Sequence, residues 1–392
     1  MSVSLVNARI LLDDGAVEKT ELLIEDGKIH SIGGGGGRAR QVDLGGRLLL
    51  PGIIDLHGDG FERSLAPRPG ADFPIDIALM DTDRAVLGSG ITTALLAQGV
   101  SWEGRLRSGA TAERILDAIE RGSHRFGADL KFHLRFEIFA MEEQERARKW
   151  IEDGRIAMMV FNDHLPQYEE SLRNSPERMQ RWSHIIGMSF DEFRAEVKAR
   201  RAREGEAEAN VRAIADVARR AGVPIGSHDD DTPELRAKYN ELGADVAEFP
   251  VNIETARAAR AVGNPVGMGA PNVLRGGSAS GNVSALDVIE DGLCDYLISD
   301  YYYPAQFYAA FKLVADGVLP LGKAWSLVSA GPAKVGALAD RGSISVGKRA
   351  DLIAVDDSEP ALPRVAASLV EGRTRYASTE LGMAAIPDLL PA

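Results

Sequence analysis

The spacing of apolar and polar residues divides the chain into three regions. The first fifty residues are short apolar runs separated by turn signals such as Asp26-Gly27, and β signals return after about residue 332. Strands are predicted at 3–12, 21–25, 28–32, 47–50, 342–345, 351–355 and 366–369. We expect the later strands to rejoin the N-terminal ones, so that both termini build one small β-sandwich beside the rest of the chain.

Between these regions, apolar runs of four to seven residues alternate with longer amphipathic stretches, which is typical of βα units. Eight such runs are found, at 52–56, 92–97, 131–137, 156–160, 223–227, 245–248, 266–269 and 297–299. The charge-rich stretch Ser189–Ala221 is interpreted as a solvated pair of outer helices. The pattern predicts a (β/α)8 TIM-type barrel over 51–335, flanked by sandwich segments at 1–50 and 336–392.

Composition narrows the class of protein. The chain has 392 residues and a formal charge of -13, which disfavours a nucleic-acid partner and favours a small substrate. Its one cysteine, Cys294, excludes a thiolate-rich zinc site, so metal ligands would be histidines and carboxylates. With no basic N-terminal region leading into an apolar run and no long apolar stretch, a cytoplasmic protein without a membrane segment is expected. Whether it forms a homo-oligomer stays open.

The sharpest local feature is Asp55-Leu-His57-Gly-Asp59, directly after the first predicted barrel strand. Active sites of TIM barrels lie at the C-terminal ends of the strands. His57 and Asp59 are two residues apart, so on extended backbone their side chains point to the same side. This pair predicts two ligands of one metal at the barrel mouth.

Other histidines and carboxylates occupy equivalent positions. They are Glu137, His164, His228 and Asp300, each at or just beyond a strand end. A single histidine there often bonds a loop carbonyl, but the joint pattern favours a centre of one or two divalent cations. Zinc is expected first, with manganese or iron also suited to these ligands.

Two further residues have expected roles in the chemistry. Asp300 can serve as general base as well as ligand if its pKa lies near the working pH, because the proton of an activated water must be accepted. His133 shares strand parity with Arg135 and Glu137, so it either contacts the substrate or has a structural role.

Longer blocks give the chain a family resemblance. Pro51-Gly-Ile-Ile-Asp-Leu-His57 and Gly342-Ser-Ile-Ser-Val-Gly-Lys-Arg-Ala-Asp-Leu-Ile353 resemble the amidohydrolase superfamily. Within it, His133-Leu-Arg-Phe-Glu137, Ser227-His-Asp-Asp-Asp-Thr232 and Met268-Gly-Ala-Pro-Asn-Val-Leu-Arg-Gly-Gly-Ser278 are similar to the phosphonate-metabolism diphosphatases of the carbon-phosphorus lyase pathway. Those enzymes release pyrophosphate from α-D-ribose 1-methylphosphonate 5-triphosphate.

The resemblance implies the same six metal ligands that the residue pattern selects. It also suggests Arg68, Arg275 and the backbone of Gly276-Gly277-Ser278 as binders of substrate phosphate, since guanidinium groups and exposed amides suit phosphate oxygens. Either arginine could instead form a structural salt bridge. The chain departs from the family at Gly58, Gly60 and Ala279, where threonine, asparagine and histidine are usual, and this affects the substrate more than the chemistry.

Three hypotheses follow. The first is hydrolysis of a phosphoanhydride in a ribose 5-triphosphate, giving the 5-phosphate and pyrophosphate. The second is hydrolysis of a C–N bond in a cyclic amide or imide, or deamination, on the same metal centre. The third is a non-catalytic barrel scaffold, which the presence of all six candidate ligands disfavours.

Overall fold

The computed structural model describes residues 2–34, 37, 39–68, 70–278 and 281–378. Within them, strands of three to ten residues form two separate sheets. The strands are β1 Ser2–Leu11, β2 Val17–Glu25, β3 Lys28–Ile32, β4 Arg40–Asp43, β5 Leu48–Pro51, β6 Ile53–Gly58, β7 Ile91–Val100, β8 Asp129–Glu137, β9 Met158–Asn162, β10 Ile225–His228, β11 Val246–Glu248, β12 Val266–Gly269, β13 Tyr296–Ile298, β14 Leu352–Asp356, β15 Arg364–Val370 and β16 Arg373–Ala377.

The helices occur mainly between the barrel strands. They are α1 Glu62–Leu65, α2 Ile75–Gly88, α3 Gly109–Gly122, α4 Gln144–Glu152, α5 Leu165–Asn174, α6 Pro176–Ile186, α7 Phe190–Arg201, α8 Glu204–Ala221, α9 Pro233–Glu241, α10 Ile253–Ala261, α11 Ala270–Arg275, α12 Ala285–Glu290, α13 Ala305–Ala315, α14 Leu321–Ser326 and α15 Ala330–Val335. Local sequence sets several of their ends. Ser189 and Glu192 form a reciprocal capping box at the start of α7, and Gly187 and Gly222 end α6 and α8 in the left-handed conformation.

β6 to β13 form a parallel sheet in chain order, with helices following the strands, so the predicted barrel is confirmed. Alternate residues of β9 point to opposite faces. Met159 and Phe161 belong to the large apolar cluster that includes the surrounding helices, whereas Met158 and Val160 belong to a smaller cluster. The smaller cluster therefore marks the barrel interior.

The barrel closes between its first and last strands. At the mouth, the amide of Asp300 donates to the carbonyl of His57 and the amide of Asp59 donates to the carbonyl of Asp300, both at 3.0 Å. Further down, the carbonyls of Leu327 and Val328 accept from the amides of Leu297 and Ile54 instead. Closure thus places Asp300 beside the His57–Asp59 segment.

A three-helix insertion of α5, α6 and α7 follows β9. Phe193 and Val197 of α7 pack with Trp102 and Phe139, which lie just beyond β7 and β8. The predicted helix pair over 189–221 is found as α7 and α8. However, α7 buries these two side chains, so it contributes to the packing beside the barrel mouth as well as to the solvated surface.

Strands from both termini form the second sheet, as predicted, in the order β16-β15-β14-β5-β1-β2-β3, with β4 pairing alongside β1. The predicted strand at 342–345 is wrong. Gly342 has φ of 87° and packs too tightly against Ala333 to accept a Cβ, and Ser343 bonds Ser345 through their hydroxyls, so this segment forms a loop. β4 and β16 were not expected, because both are short and rich in charge. The exact domain limits stay a prediction.

Candidate metal centre

Three histidines from separate strands meet at the barrel mouth. The ring of His57 at the end of β6 lies 5.1 Å from that of His133 on β8 and 5.3 Å from that of His228 at the end of β10, measured between centroids. His57 and His133 are fully buried, and the side chain of His228 is 9% exposed. Two of these histidines were expected as ligands, and the third lies directly beside them.

Hydrogen bonds leave one nitrogen of His57 and one of His133 available. His57 Nδ1 lies 2.7 Å from Glu248 Oε2, and His133 Nδ1 lies 2.7 Å from the carbonyl of Leu56. In both rings Nε2 is buried and has no hydrogen-bond partner among the described residues. Burial lowers the pKa of His57 well below its usual value and that of His133 to about 3, so both rings are neutral. A neutral imidazole held through Nδ1–H, with Nε2 free, is the form that binds metals.

Glu248, at the end of β11, completes a group of three. Ligand atoms of His57, His228 and Glu248 all lie within 4.8 Å of one another. Burial raises the pKa of Glu248, and its second oxygen lies 3.5 Å from the hydroxyl of Tyr296. Two imidazoles and a carboxylate from separate strands fit a zinc-like divalent cation, so the donor set agrees with the expected cofactor.

His228 is held by the loop that follows it. Its Nδ1 lies 3.0 Å from Asp229 Oδ2, and although burial opposes the charged ring, this carboxylate raises the pKa of His228 overall. The buried guanidinium of Arg236 fixes the loop by donating to Ser227 Oγ at 2.6 Å and to Asp230 Oδ2 at 3.0 Å. Asp229 itself has a positive φ of 61°, which turns the chain sharply at the strand end.

Asp59 and Asp300 lie on the side of the mouth where the barrel closes. Asp59 Oδ2 accepts a hydrogen bond from Arg135 of β8 at 3.1 Å. Burial, with a further contribution from the charge of Asp59, raises the pKa of Asp300 to about 7. Asp300 therefore has the property expected of a general base near neutral pH.

Glu137 and His164 form a pair at the ends of neighbouring strands. Glu137 Oε2 lies 2.7 Å from His164 Nδ1, and the ring of Tyr168 from α5 lies 6.2 Å from the ring of His164. Glu137 and His164 thus bond each other, and neither belongs to the group formed by His57, His228 and Glu248. The six expected ligands are thus arranged in three connected sets around one barrel mouth.

An open cleft of about 240 Å³ leads to these residues. Its lining includes His228, Asp300, Arg275, Gly277 and Ser278. Gly276 adjoins it in the left-handed conformation at the end of α11. Arg68 is exposed in a turn with Ala71 and does not line the cleft, and His133 is buried beneath it. The structure therefore brings Arg275 to the metal centre but not Arg68.

Packing explains two of the three departures from the family pattern. A Cβ at position 58 would lie 2.5 Å from Asp55 Oδ2 and 2.8 Å from the ring of Tyr303, and one at position 60 would lie 3.0 Å from the same ring. Tyr303 thus takes the space that larger side chains at Gly58 and Gly60 would need. The third departure, Ala279, lies outside the described residues.

Comparison with known proteins places this geometry in a family. The chain is 34% identical over 360 residues to α-D-ribose 1-methylphosphonate 5-triphosphate diphosphatase of Escherichia coli (strain K12), covering 88% of this chain and 93% of that protein. The chain belongs to the amidohydrolase superfamily, in the family of this diphosphatase. No protein-family model matches it. A dihydroorotase of Bacillus cytotoxicus is 38% identical, but only over 53 residues.

Solved amidohydrolase structures share the fold across nearly the whole chain. N-acetylglucosamine-6-phosphate deacetylase from Pasteurella multocida has a TM-score of 0.64 at 14% identity, with 96% of this chain and all of that chain covered. A D-hydantoinase has a TM-score of 0.61 at 16% identity, with 96% of both chains covered. At these identities the structural similarity establishes the fold, that is, the barrel and its companion sheet. Membership of the amidohydrolase superfamily makes the present chain a metal-dependent hydrolase.

Among the described residues no helix is long and apolar enough to cross a membrane.

Sequence reasoning missed three side chains at this centre. Glu248 ends a predicted strand, Arg135 lies between His133 and Glu137, and Asp229 follows His228. Glu248 and Asp229 carried the same signal as the chosen residues, a carboxylate at or just after a strand end. Arg135 could have been chosen by parity, because alternate residues of β8 point into the barrel.

Proposed function

We propose that the chain hydrolyses a phosphoanhydride in a ribose 5-triphosphate, with α-D-ribose 1-methylphosphonate 5-triphosphate as the substrate. Water adds to phosphorus, the bond between the α and β phosphates breaks, and the products are the 5-phosphate and pyrophosphate. The observation that carries this proposal is the 34% identity to the Escherichia coli diphosphatase over 88% of the chain. The cleft supports it, because the guanidinium groups of Arg135 and Arg275 lie there together with carboxylates and the imidazole of His228.

The proposed cofactor is a divalent metal, as one or two ions, with zinc expected first and manganese or iron also suited. The ligands proposed are His57 and His228, with Asp59, Glu137, His164 and Asp300 around them. When bound, a divalent metal lowers the pKa of a water molecule and polarises a phosphoryl oxygen. Glu248 orients the ring of His57 through the 2.7 Å bond to Nδ1.

Asp300 is proposed to accept the proton from the attacking water. Its raised pKa, about 7, suits a group that must take up and release a proton near neutrality. Backbone bonds to His57 and Asp59 hold it in place at the closure of the barrel. Asp300 has a positive φ of 54°, which is a strained backbone conformation for this residue type. The two backbone hydrogen bonds that close the barrel compensate for this strain and hold the carboxylate rigidly.

Arg275 is proposed to bind the outer phosphates. It is exposed at the end of α11 and lines the cleft next to Gly277 and Ser278. Among the described residues it has no ion pair, so its charge is available to an anionic substrate. A guanidinium matches phosphate oxygens in geometry, whereas the predicted amides of Gly276 and Gly277 already donate to the carbonyl of Asn272.

The test is to incubate the metal-loaded protein with this triphosphate and to measure pyrophosphate and orthophosphate separately. Pyrophosphate is expected, with KM raised at least about tenfold in Arg275→Gln and kcat lost in Asp300→Asn. The control variant Arg257→Gln changes an exposed arginine on α10 that pairs with Asp291, and should behave as wild type. Ring opening of a dihydropyrimidine without any pyrophosphate release would favour the C–N hydrolase instead.

A further inference from the structure

Arg135 is an unusual residue to find at a metal centre. It lies on β8 between His133 and Glu137 and faces the barrel interior with them. Its side chain is only 12% exposed, and it lines the cleft together with His228, Asp229 and Asp300. A permanent positive charge therefore lies within the group of residues that is expected to bind cations.

The contacts of Arg135 make the carboxylate of Asp59 less available as a ligand for a second metal. Its guanidinium donates to Asp59 Oδ2 at 3.1 Å, while Glu137 and His164 are bonded to each other at 2.7 Å. Among the described residues, His57, His228 and Glu248 are the group whose possible ligand atoms all lie within 4.8 Å of one another. Centres with two metals instead place the cations about 3.5–4 Å apart, with ligands shared around both.

The charge of Arg135 acts on the centre itself. Its guanidinium shares the cleft with His228 and Asp300 and contacts Asp59 at 3.1 Å. Charges interact more strongly in such a buried site than in water, and a guanidinium cannot lose its proton to relieve the repulsion. A second divalent cation beside Asp59 would therefore meet a fixed like charge.

We propose that Arg135 takes the place of a second metal, so that the centre binds one divalent cation per chain. The guanidinium neutralises Asp59 and offers its N–H donors to the same cleft, where a second cation would otherwise attract an anionic substrate. This inference concerns metal number and does not depend on which bond the enzyme cleaves.

The test is metal stoichiometry. Metal-depleted protein is titrated with Mn²⁺, bound metal per chain is measured by mass spectrometry after desalting, and electron paramagnetic resonance reports any coupled pair. Wild type and Arg135→Lys, which keeps the charge, should bind one ion. Arg135→Met should bind two, with a coupled Mn²⁺ signal and a second site at least about tenfold tighter than any second binding in wild type.

The variant Arg275→Gln is the matched control, because it removes a positive charge from the same cleft away from Asp59, and it should still bind one ion. Two ions in wild type would overturn the proposal without any variant, which covers the case in which Arg135→Met does not fold. One ion or none in folded Arg135→Met would also overturn it, since removing the guanidinium would then not have created a second site.

Discussion

At the scale of single residues, the centre depends on carboxylates that orient imidazoles. His57 supplies a free Nε2 because Glu248, at the end of β11, bonds its Nδ1 at 2.7 Å. The side chains of His57 and Glu248 are both buried, so if Glu248 were replaced, water could not take over its hydrogen bond to His57. The metal affinity of the site should therefore depend on Glu248 as strongly as on a histidine.

We expect Glu248→Gln to weaken metal binding about 10- to 100-fold, because the amide neither carries the charge nor holds the ring of His57 in the same way. Competition with a fluorescent chelator measures the affinity. Glu254→Gln on the exposed start of α10 is the matched control and should bind metal as wild type does. Equal affinity in Glu248→Gln and in the control would show that Glu248 has no role at the centre.

Gly58 illustrates a residue whose small size is required. We expect Gly58→Ala to lower the free energy of unfolding by about 1–3 kcal/mol, because the new Cβ would collide with Asp55 Oδ2 at 2.5 Å and with Tyr303 at 2.8 Å. Gly205→Ala in α8 meets no atom within 4 Å and should leave stability unchanged or slightly raised. Denaturant unfolding compares the two, and a Gly58→Ala protein as stable as Gly205→Ala would show that this packing relaxes freely.

At the scale of elements, one buried carboxylate fastens the three-helix insertion to the barrel. Glu103, just beyond β7, accepts hydrogen bonds from Tyr168 Oη of α5 and from Trp182 Nε1 of α6, the latter at 3.0 Å. Arg107 contacts its other oxygen at 3.3 Å, and its guanidinium lies over the ring of Trp182. One side chain thus joins two helices of the insertion to the strand end.

We expect Glu103→Ala to loosen this insertion. The variant leaves the donors of Tyr168, Trp182 and Arg107 without their acceptor, at a cost of about 1–3 kcal/mol for the unsatisfied groups. Hydrogen exchange should become faster across 165–186 and stay unchanged in the strands of the terminal sheet. Glu177→Ala, on the exposed side of α6, should leave exchange as in wild type, and the same pattern in both variants would rule out this role for Glu103.

How far the sequence predicts these elements depends on burial. The barrel strands are mostly short apolar runs buried on both faces, so the hydrophobic pattern alone locates most of them. β4 and β16 expose polar or charged side chains at alternate positions and pair with β1 and β15, so only the neighbouring strand reveals them. Similarly, strand ends identified His57 and His228, whereas the pairing of Asp59 with Arg135 requires the closed barrel.

At the scale of the whole molecule, contacts between distant parts of the chain close the barrel and join it to the terminal sheet. Asp55 of β6 accepts from Ser299 Oγ at 2.5 Å and from its amide at 3.0 Å, which links the first strand to the last. Arg341, which precedes β14, donates to Thr93 of β7 and Asp129 of β8 at 2.9 and 2.6 Å. Arg341 therefore links the segment before β14 of the terminal sheet to two strands of the barrel.

Asp55 also makes stability depend on pH. Burial raises its pKa to about 6, above the usual 3.8, so the folded protein holds this proton more tightly than the unfolded chain. The contribution of protonated Asp55 to the free energy of unfolding is complete below about pH 4 and is lost as the pH rises through about 6. In metal-free protein we expect the stability of wild type relative to Asp55→Asn to fall by about 1 kcal/mol between pH 5 and 7. Denaturant midpoints at both pH values measure it, and a constant or rising difference would contradict it.

The most direct measurement of the central claim is pyrophosphate release from α-D-ribose 1-methylphosphonate 5-triphosphate by the purified protein, with and without its metal. A metal-dependent diphosphatase should release one pyrophosphate for each 5-phosphate formed, lose this activity after chelation and regain it when Zn²⁺ or Mn²⁺ is restored. Absence of pyrophosphate from folded, metal-loaded protein would contradict the account, and hydrolysis of a cyclic amide by the same sample would assign this centre to C–N bonds instead.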